Sequence, residues 1–382
     1  DEVHNFTGNE HGEALKLIIN KSKNLRVLLL SATPMKNLGS DIIEIINFIR
    51  PSNDGLKSEK LFNSNKNHLM DFKPNGKEYF QKMCNGYISH YRGANPLLFA
   101  KQVDMGELVP GLLFTKCIRC KMGKFQYDTY TKVSIEVADS LDRSTTSVAN
   151  CVFPGLSKNK TEIDGYYGEN GINIIKSNLK TNKLDYLKKL NEKFFDNKIK
   201  NIENIIYESS NTDNITGLIY KKKYLKMFSS KFYEALININ NKVEGKDGSG
   251  TIFVYSNLVK VGIDVFQEIL LQNGYLEFRE DQSYNINDTT IDYKTGIPFN
   301  EFKNLYKNRQ FLPATFIRVT GKTDDTDEEL PDKKFDLLNR YFNSMQNVEG
   351  KFLKIILGSR VMNEGITLEN TSQVHILDAY YN

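Results

Sequence analysis

Asn24-Leu25-Arg26-Val27-Leu28-Leu29-Leu30-Ser31-Ala32-Thr33-Pro34 is the stretch on which the fold turns. Its apolar run is continuous and too short for a helix, so it reads as a strand buried on both faces of a parallel sheet. Pro34 discourages any helix before it. Ser40-Asp41 then caps an expected helix through Phe48, whose Ile42, Ile43, Ile45, Ile46 and Ile49 form an apolar face, and Pro51 follows its end. Strand, turn and helix make half of a βαβ unit.

Residues 51–110 are irregular in pattern. Residues 112–119 read as an edge strand and 124–133 as a short Tyr-containing helix. Residues 136–180 combine weak periodicity with many Gly, Asn and Ser, which places an interdomain linker there. Residues 183–195 read as an amphipathic helix, and a Lys/Asn-rich stretch to about residue 250 holds another near 220–236. Beyond it strands and helices alternate: strand 251–255, helix 259–273, strand 316–319, helix 333–345, strand 352–357 and strand 374–377. Strands separated by helices imply an α/β fold with a parallel sheet covered on both faces. The segments near 196–248 and 279–312 read as insertions.

The 382 residues suffice for two domains with real cores, and a hydrophobic share of 40% with 26% charged residues excludes a disordered chain. No apolar run approaches membrane-spanning length. A net charge of +4 is only mildly basic and equally describes a solvated surface. Four cysteines in a chain this long point to a reducing, intracellular compartment. Cys117-Ile118-Arg119-Cys120 has metal-ligand spacing, but Cys84 and Cys151 are isolated, so core or surface thiols are the better reading. The heavy use of Lys, Asn and Ile fits an AT-rich genome.

The chemistry concentrates at Asp1-Glu2-Val3-His4 and Ser31-Ala32-Thr33. An adjacent Asp-Glu pair at the end of a parallel strand suits metal-assisted phosphate chemistry. The Asp holds Mg²⁺, generally through water, and the Glu polarises the attacking water. A Ser and a Thr leaving the neighbouring strand can hydrogen-bond to the first motif and sense its occupancy.

In this order and spacing the two motifs resemble motif II, in its DExH form, and motif III of superfamily 2 helicases. Further blocks extend the resemblance. Phe253-Val254-Tyr255-Ser256-Asn257 is similar to motif IV, and Arg318-Val319-Thr320-Gly321-Lys322-Thr323 to the next block of chromatin-remodelling translocases. Gly358-Ser359-Arg360-Val361-Met362-Asn363-Glu364-Gly365-Ile366-Thr367-Leu368 is similar to motif V. With His375-Ile376-Leu377-Asp378 after it, this version most resembles the transcription-associated helicases of large DNA viruses, the poxvirus-like nucleoside triphosphatase I group. Residues 52–180 carry the resemblance weakly.

The resemblance implies two RecA-like parallel-sheet domains, the first truncated at its N-terminus: 1–135, a linker at 136–180, and 181–382. It implies an ATP hydrolase using ATP and Mg²⁺. Asp1 binds Mg²⁺ through water, Glu2 is the general base, and His4 couples the nucleotide site to the second domain. Ser31 and Thr33 link hydrolysis to movement. Ser256, Gly321, Thr323 and Ser359 lie near the backbone of a bound DNA or RNA strand, and Gly365 and Thr367 near the nucleotide cleft. A viral RNA polymerase is an implied partner and a membrane is not; the implied setting is a virion or a cytoplasmic viral factory.

Gly321-Lys322-Thr323 mimics the end of a P-loop, but the position five before Gly321 is Phe316 and an acidic run follows, so it is rejected as one. The chain contains neither a phosphate-cradling loop nor the arginine-bearing motif VI, so these residues alone are expected to be inactive. Arg360 stands where many helicases carry an acidic residue. Two other readings stay open: a double-strand translocase that remodels without unwinding, and a non-hydrolysing nucleic-acid-binding scaffold.

Overall fold

The computed structural model describes residues 1–35, 39–51, 53–64, 70–90, 100–111, 113–136, 143–321 and 332–378, and divides into two compact units, 1–104 and 105–381. In the first unit, α1 (Glu10–Lys21), α2 (Asp41–Ile49) and α3 (Gly76–Cys84) surround two small cores. Val3, Ile45 and Phe48 form one, with Phe6, Leu15, Ile19 and Leu29 against it. Ile43, Ile46, Leu61 and Cys84 form the other. Gly12 is required where α1 meets the turn before it: a Cβ there would lie 1.9 Å from the Phe6 carbonyl oxygen.

The run at 24–30 is not a paired strand among the described residues, which corrects the sequence expectation. Leu28 is 81% exposed and Leu30 50%. The physical reason is that a strand needs neighbours, and the described residues supply only a tether, from Val3 N–H to Leu30 O at 3.1 Å. The helix after it forms as expected, although Ser40 has helical dihedrals and its side chain makes no capping bond.

The second unit is built on five parallel strands: β1 (Thr251–Tyr255), β2 (Leu276–Glu277), β3 (Thr315–Val319), β4 (Ile355–Gly358) and β5 (Thr371–Ile376). Their order is β2-β3-β4-β1-β5, and every adjacent pair is parallel. The mixed α/β class read from the sequence is therefore present. β1, β3 and β4 are buried along most of their length, which is why they read as unbroken apolar runs. β2 has only two residues and left no pattern to read.

Ahead of the sheet lie α4 (Lys124–Glu136), α5 (Arg143–Asn150), the hairpin Phe153–Leu156 with Ile163–Tyr166, α6 (Gly168–Thr181) and α7 (Lys183–Phe195). Residues 136–180, which read as a linker, thus carry regular elements. Phe153, Leu156, Ile163, Ile172 and Ile175 of that segment belong to the main core. Short elements rich in Gly and Asn hide this from a periodicity scan.

A helix expected near 220–236 is divided. Lys222–Leu225 is one short turn, and α8 runs from Ser230 to Val243 because Ser229 Oγ accepts the Phe232 N–H at 3.0 Å and starts a new helix. Phe232, Ala235, Leu236, Ile239 and Val243 form its buried stripe. After β1 a π-type turn, Val259–Ile263, leads into α9 (Asp264–Gln272).

Lys354, just before β4, is buried and donates to Glu349 O at 2.7 Å. Burial, reinforced by Lys242, pushes its ammonium down to about 8. Between pH 8 and the unfolded value near 10.4 the unfolded chain holds a proton that the folded chain has shed. Stability from this group therefore rises with pH across that window. Lys354→Met removes the effect: the parent's urea midpoint should rise relative to the variant's from pH 8 to 10, and parallel curves would contradict it.

Candidate functional site

In the first unit the two sequence motifs meet. Val3, buried against Ile45 and Phe48 of α2, anchors a short 3-10 turn, Val3–Phe6, and this sinks the His4 side chain to 2% exposure. His4 Nδ1 lies 2.8 Å from Ser31 Oγ and 3.3 Å from Glu2 Oε2. Ser31 Oγ also accepts the Thr33 N–H at 3.1 Å, so the imidazole, Ser31 and the Thr33 backbone form one chain of contacts. Asp1 is exposed, and its Oδ1 accepts the Glu2 N–H at 2.9 Å. Glu2 itself sits at φ 51°, ψ 44°, a left-handed conformation costing a non-glycine residue about 1–3 kcal/mol. Such strain persists where surrounding contacts enforce it, and here the Glu2 carboxylate is turned toward the buried imidazole.

In the second unit the strand register brings separate blocks to one edge. Val319 pairs with Gly358, Gly358 with Tyr255, and Ile376 with Tyr255. The residues that follow leave the carboxyl ends of β3, β4, β1 and β5 side by side: Thr320-Gly321, Ser359, Ser256 and Leu377-Asp378. In open parallel sheets ligands bind at this end, where successive connections depart in opposite directions. Here β1 leads across to the far edge strand β2, whereas β4 leads to β5 on the other side.

The expected site residues fare differently in position. Ser256 is fully buried and donates from Oγ to Asp378 Oδ2 at 2.6 Å, so its hydroxyl faces the protein. Gly262 makes room for it, since a Cβ there would lie 2.0 Å from Ser256 Oγ. Ser359 is also buried; its N–H donates to Val319 O at 3.2 Å, and its carbonyl accepts Met362 N–H at 2.9 Å. Gly365 is exposed with φ +73°, and exposed Thr367 offers its carbonyl to Asn343 Nδ2 at 2.8 Å. Gly321 is half-buried at the strand end, and Thr323 lies outside the described residues.

In the sequence Asp378 stands out only as part of the His375-Ile376-Leu377-Asp378 block. It is the centre of this edge: its carboxylate accepts Ser256 Oγ, the Asn257 N–H at 2.6 Å and Asn150 Nδ2 at 3.1 Å. An Asp closing an apolar strand run is the one signal that pointed to it.

The chain is similar along nearly its whole length to proteins of large DNA viruses that are named as helicases or as early transcription factor subunits. In particular, it is 49% identical over all of its length to an Acanthamoeba polyphaga mimivirus protein provisionally named an ATP-dependent RNA helicase, covering 34% of that protein. It is 23% identical to the early transcription factor large subunit homolog of African swine fever virus (97% of the chain, 32% of the relative). It is 25% identical to the early transcription factor 70 kDa subunit of Yaba monkey tumor virus (98% of the chain, 47% of the relative). The chain thus spans about a third to a half of the length of these relatives. No protein-family model matches it. Among the described residues no helix is long and apolar enough to cross a membrane.

Proposed function

We propose that the complete protein is an ATP-driven nucleic-acid motor of the superfamily 2 helicase type, acting in viral transcription. The observation that carries this reading is the contact between His4 and Ser31, which joins two motifs 27 residues apart beside an exposed Asp1 and a half-buried Glu2. In this reading the first unit contributes to one RecA-like domain, and the parallel sheet of the second unit is the core of another.

The carboxylate oxygens of Asp1, exposed at the head of the first unit, fit a hard and largely hydrated Mg²⁺. Asp1 would hold it through water, and the ion when bound supplies neutralisation of phosphate charge. Glu2 takes the proton of the attacking water. His4 holds the Glu2 carboxylate in place and passes its state to Ser31 and Thr33. At the sheet edge, Gly321, Ser359 and the turn at Ser256 contact a strand's phosphate backbone, giving sequence-independent, salt-sensitive binding, and Thr323 is assigned the same role from the sequence alone. Gly365 and Thr367 serve the nucleotide side.

Strand displacement by the complete protein, on duplexes with single-stranded tails of DNA and of RNA, tests the helicase reading. ATP-dependent displacement supports it. Hydrolysis without displacement would favour a translocase that moves along duplex, and neither activity would favour a binding scaffold. Ser31→Ala separates coupling from chemistry: nucleic-acid-stimulated hydrolysis should stay within a few-fold of the parent while displacement falls about tenfold or more. Equal losses in both would remove Ser31 from the coupling role.

A further inference from the structure

A chain of buried polar contacts runs from the sheet edge into the helices ahead of the sheet, and the proposed roles do not use it. It begins at Asp378, whose carboxylate holds Ser256 Oγ and the Asn257 N–H. Asn150 Nδ2 donates to the same carboxylate at 3.1 Å, while Asn150 Oδ1 accepts from Lys231 Nζ at 2.6 Å. Asn150 ends α5, is fully buried, and also offers its carbonyl to Ser229 Oγ, the cap of α8. Next along α8, Ser230 N–H and Oγ donate to Gln126 Oε1 of α4 at 3.0 and 3.2 Å. Gln126 Nε2 closes the path on the carbonyls of Val148 and Ala149, at 3.0 and 3.2 Å.

This arrangement is costly unless it is used. Asn150 and Asp378 are 228 residues apart and both buried. Apolar residues at such positions would fill the same space with no unmet donors. What the polar version provides is direction: the amide of Asn150 is held from both sides and presents one N–H to one carboxylate oxygen. The carboxylate in turn fixes the first turn after β1, the same turn proposed to lie against the nucleic acid. Burial pushes the Lys231 ammonium down while the Asp378 carboxylate pushes it back up, and the Asn150 amide contacts both groups.

We infer that Asn150 and Lys231 are positioning residues for the nucleic-acid-facing edge: together they hold Asp378 so that it fixes the Ser256–Leu258 turn. They touch no substrate themselves. The inference rests on the reading of that edge as the nucleic-acid contact. It makes helices α4, α5 and α8 a support behind that edge, so that a change in how they pack is transmitted to the grip on the strand.

The test uses the complete protein carrying Lys231→Met, Lys231→Arg or Asn150→Ala. Amide hydrogen exchange over residues 256–263 is read first, and then the concentration of single-stranded oligonucleotide, DNA and RNA in separate titrations, that half-stimulates ATP hydrolysis. Lys231→Met and Asn150→Ala should each speed exchange of the Asn257 and Leu258 amides about tenfold and raise the half-stimulating concentration about tenfold. Hydrolysis without nucleic acid and exchange within β1 should be unchanged, and Lys231→Arg should lie near the parent. Unchanged exchange in both disruptive variants would overturn the positioning role, as would faster exchange with unchanged half-stimulation. If the parent shows no stimulation, the motor reading fails; with fluorescent oligonucleotide binding then read in place of hydrolysis, weaker binding in the variants supports the relay and equal binding overturns it.

Discussion

Glu2→Gln in the complete protein is expected to leave ATP binding within a few-fold of the parent and to lower the rate of hydrolysis by about 10²–10⁴-fold. A carboxylate can take the proton of an attacking water, whereas the isosteric amide cannot, and charge near bound phosphates changes by one unit. Glu2 lies 3.3 Å from the His4 imidazole, a contact that an amide can still make, so local geometry should survive the change. Loss of hydrolysis with intact binding of a fluorescent nucleotide is thus a statement about proton transfer. A variant that hydrolyses ATP at the parent rate would remove Glu2 from the base role.

Asp378→Ala is expected to cost about 3–5 kcal/mol of stability, the range for stripping one partner from a buried charged network. Three donors lose their acceptor together: the buried Ser256 hydroxyl, the Asn257 N–H and the buried Asn150 amide. Lys231 loses the anion that offsets its burial. Chemical denaturation followed by circular dichroism gives the difference directly. A shift below about 1 kcal/mol, the level of a surface substitution, would mean that the network is hydrated and adaptable.

What the sequence made legible, and what it hid, follows from the range of the forces involved. β1, β3 and β4 are buried between helices, so burial itself writes an apolar run at 251–255, 315–319 and 355–358. The same signature at 24–30 does not become a paired strand, because an apolar run reports the wish to be buried and not the presence of neighbours to bury it. The meeting of His4 with Ser31 could be anticipated, since only one helix separates their segments. The role of Ser256 could not. Its hydroxyl is turned inward by Asp378, a partner 122 residues away that no local pattern announces. The inward link to Asn150 is longer still, and a lone Asn in a Ser/Thr-rich helix looks like surface until the fold closes around it.

The most direct measurement is ATP hydrolysis by the complete protein, alone and with single-stranded DNA, duplex DNA or RNA. A low rate alone is expected, raised severalfold or more by one of these nucleic acids and lost on Glu2→Gln. A folded protein that binds nucleic acid but hydrolyses no ATP under any of these conditions would contradict the motor reading.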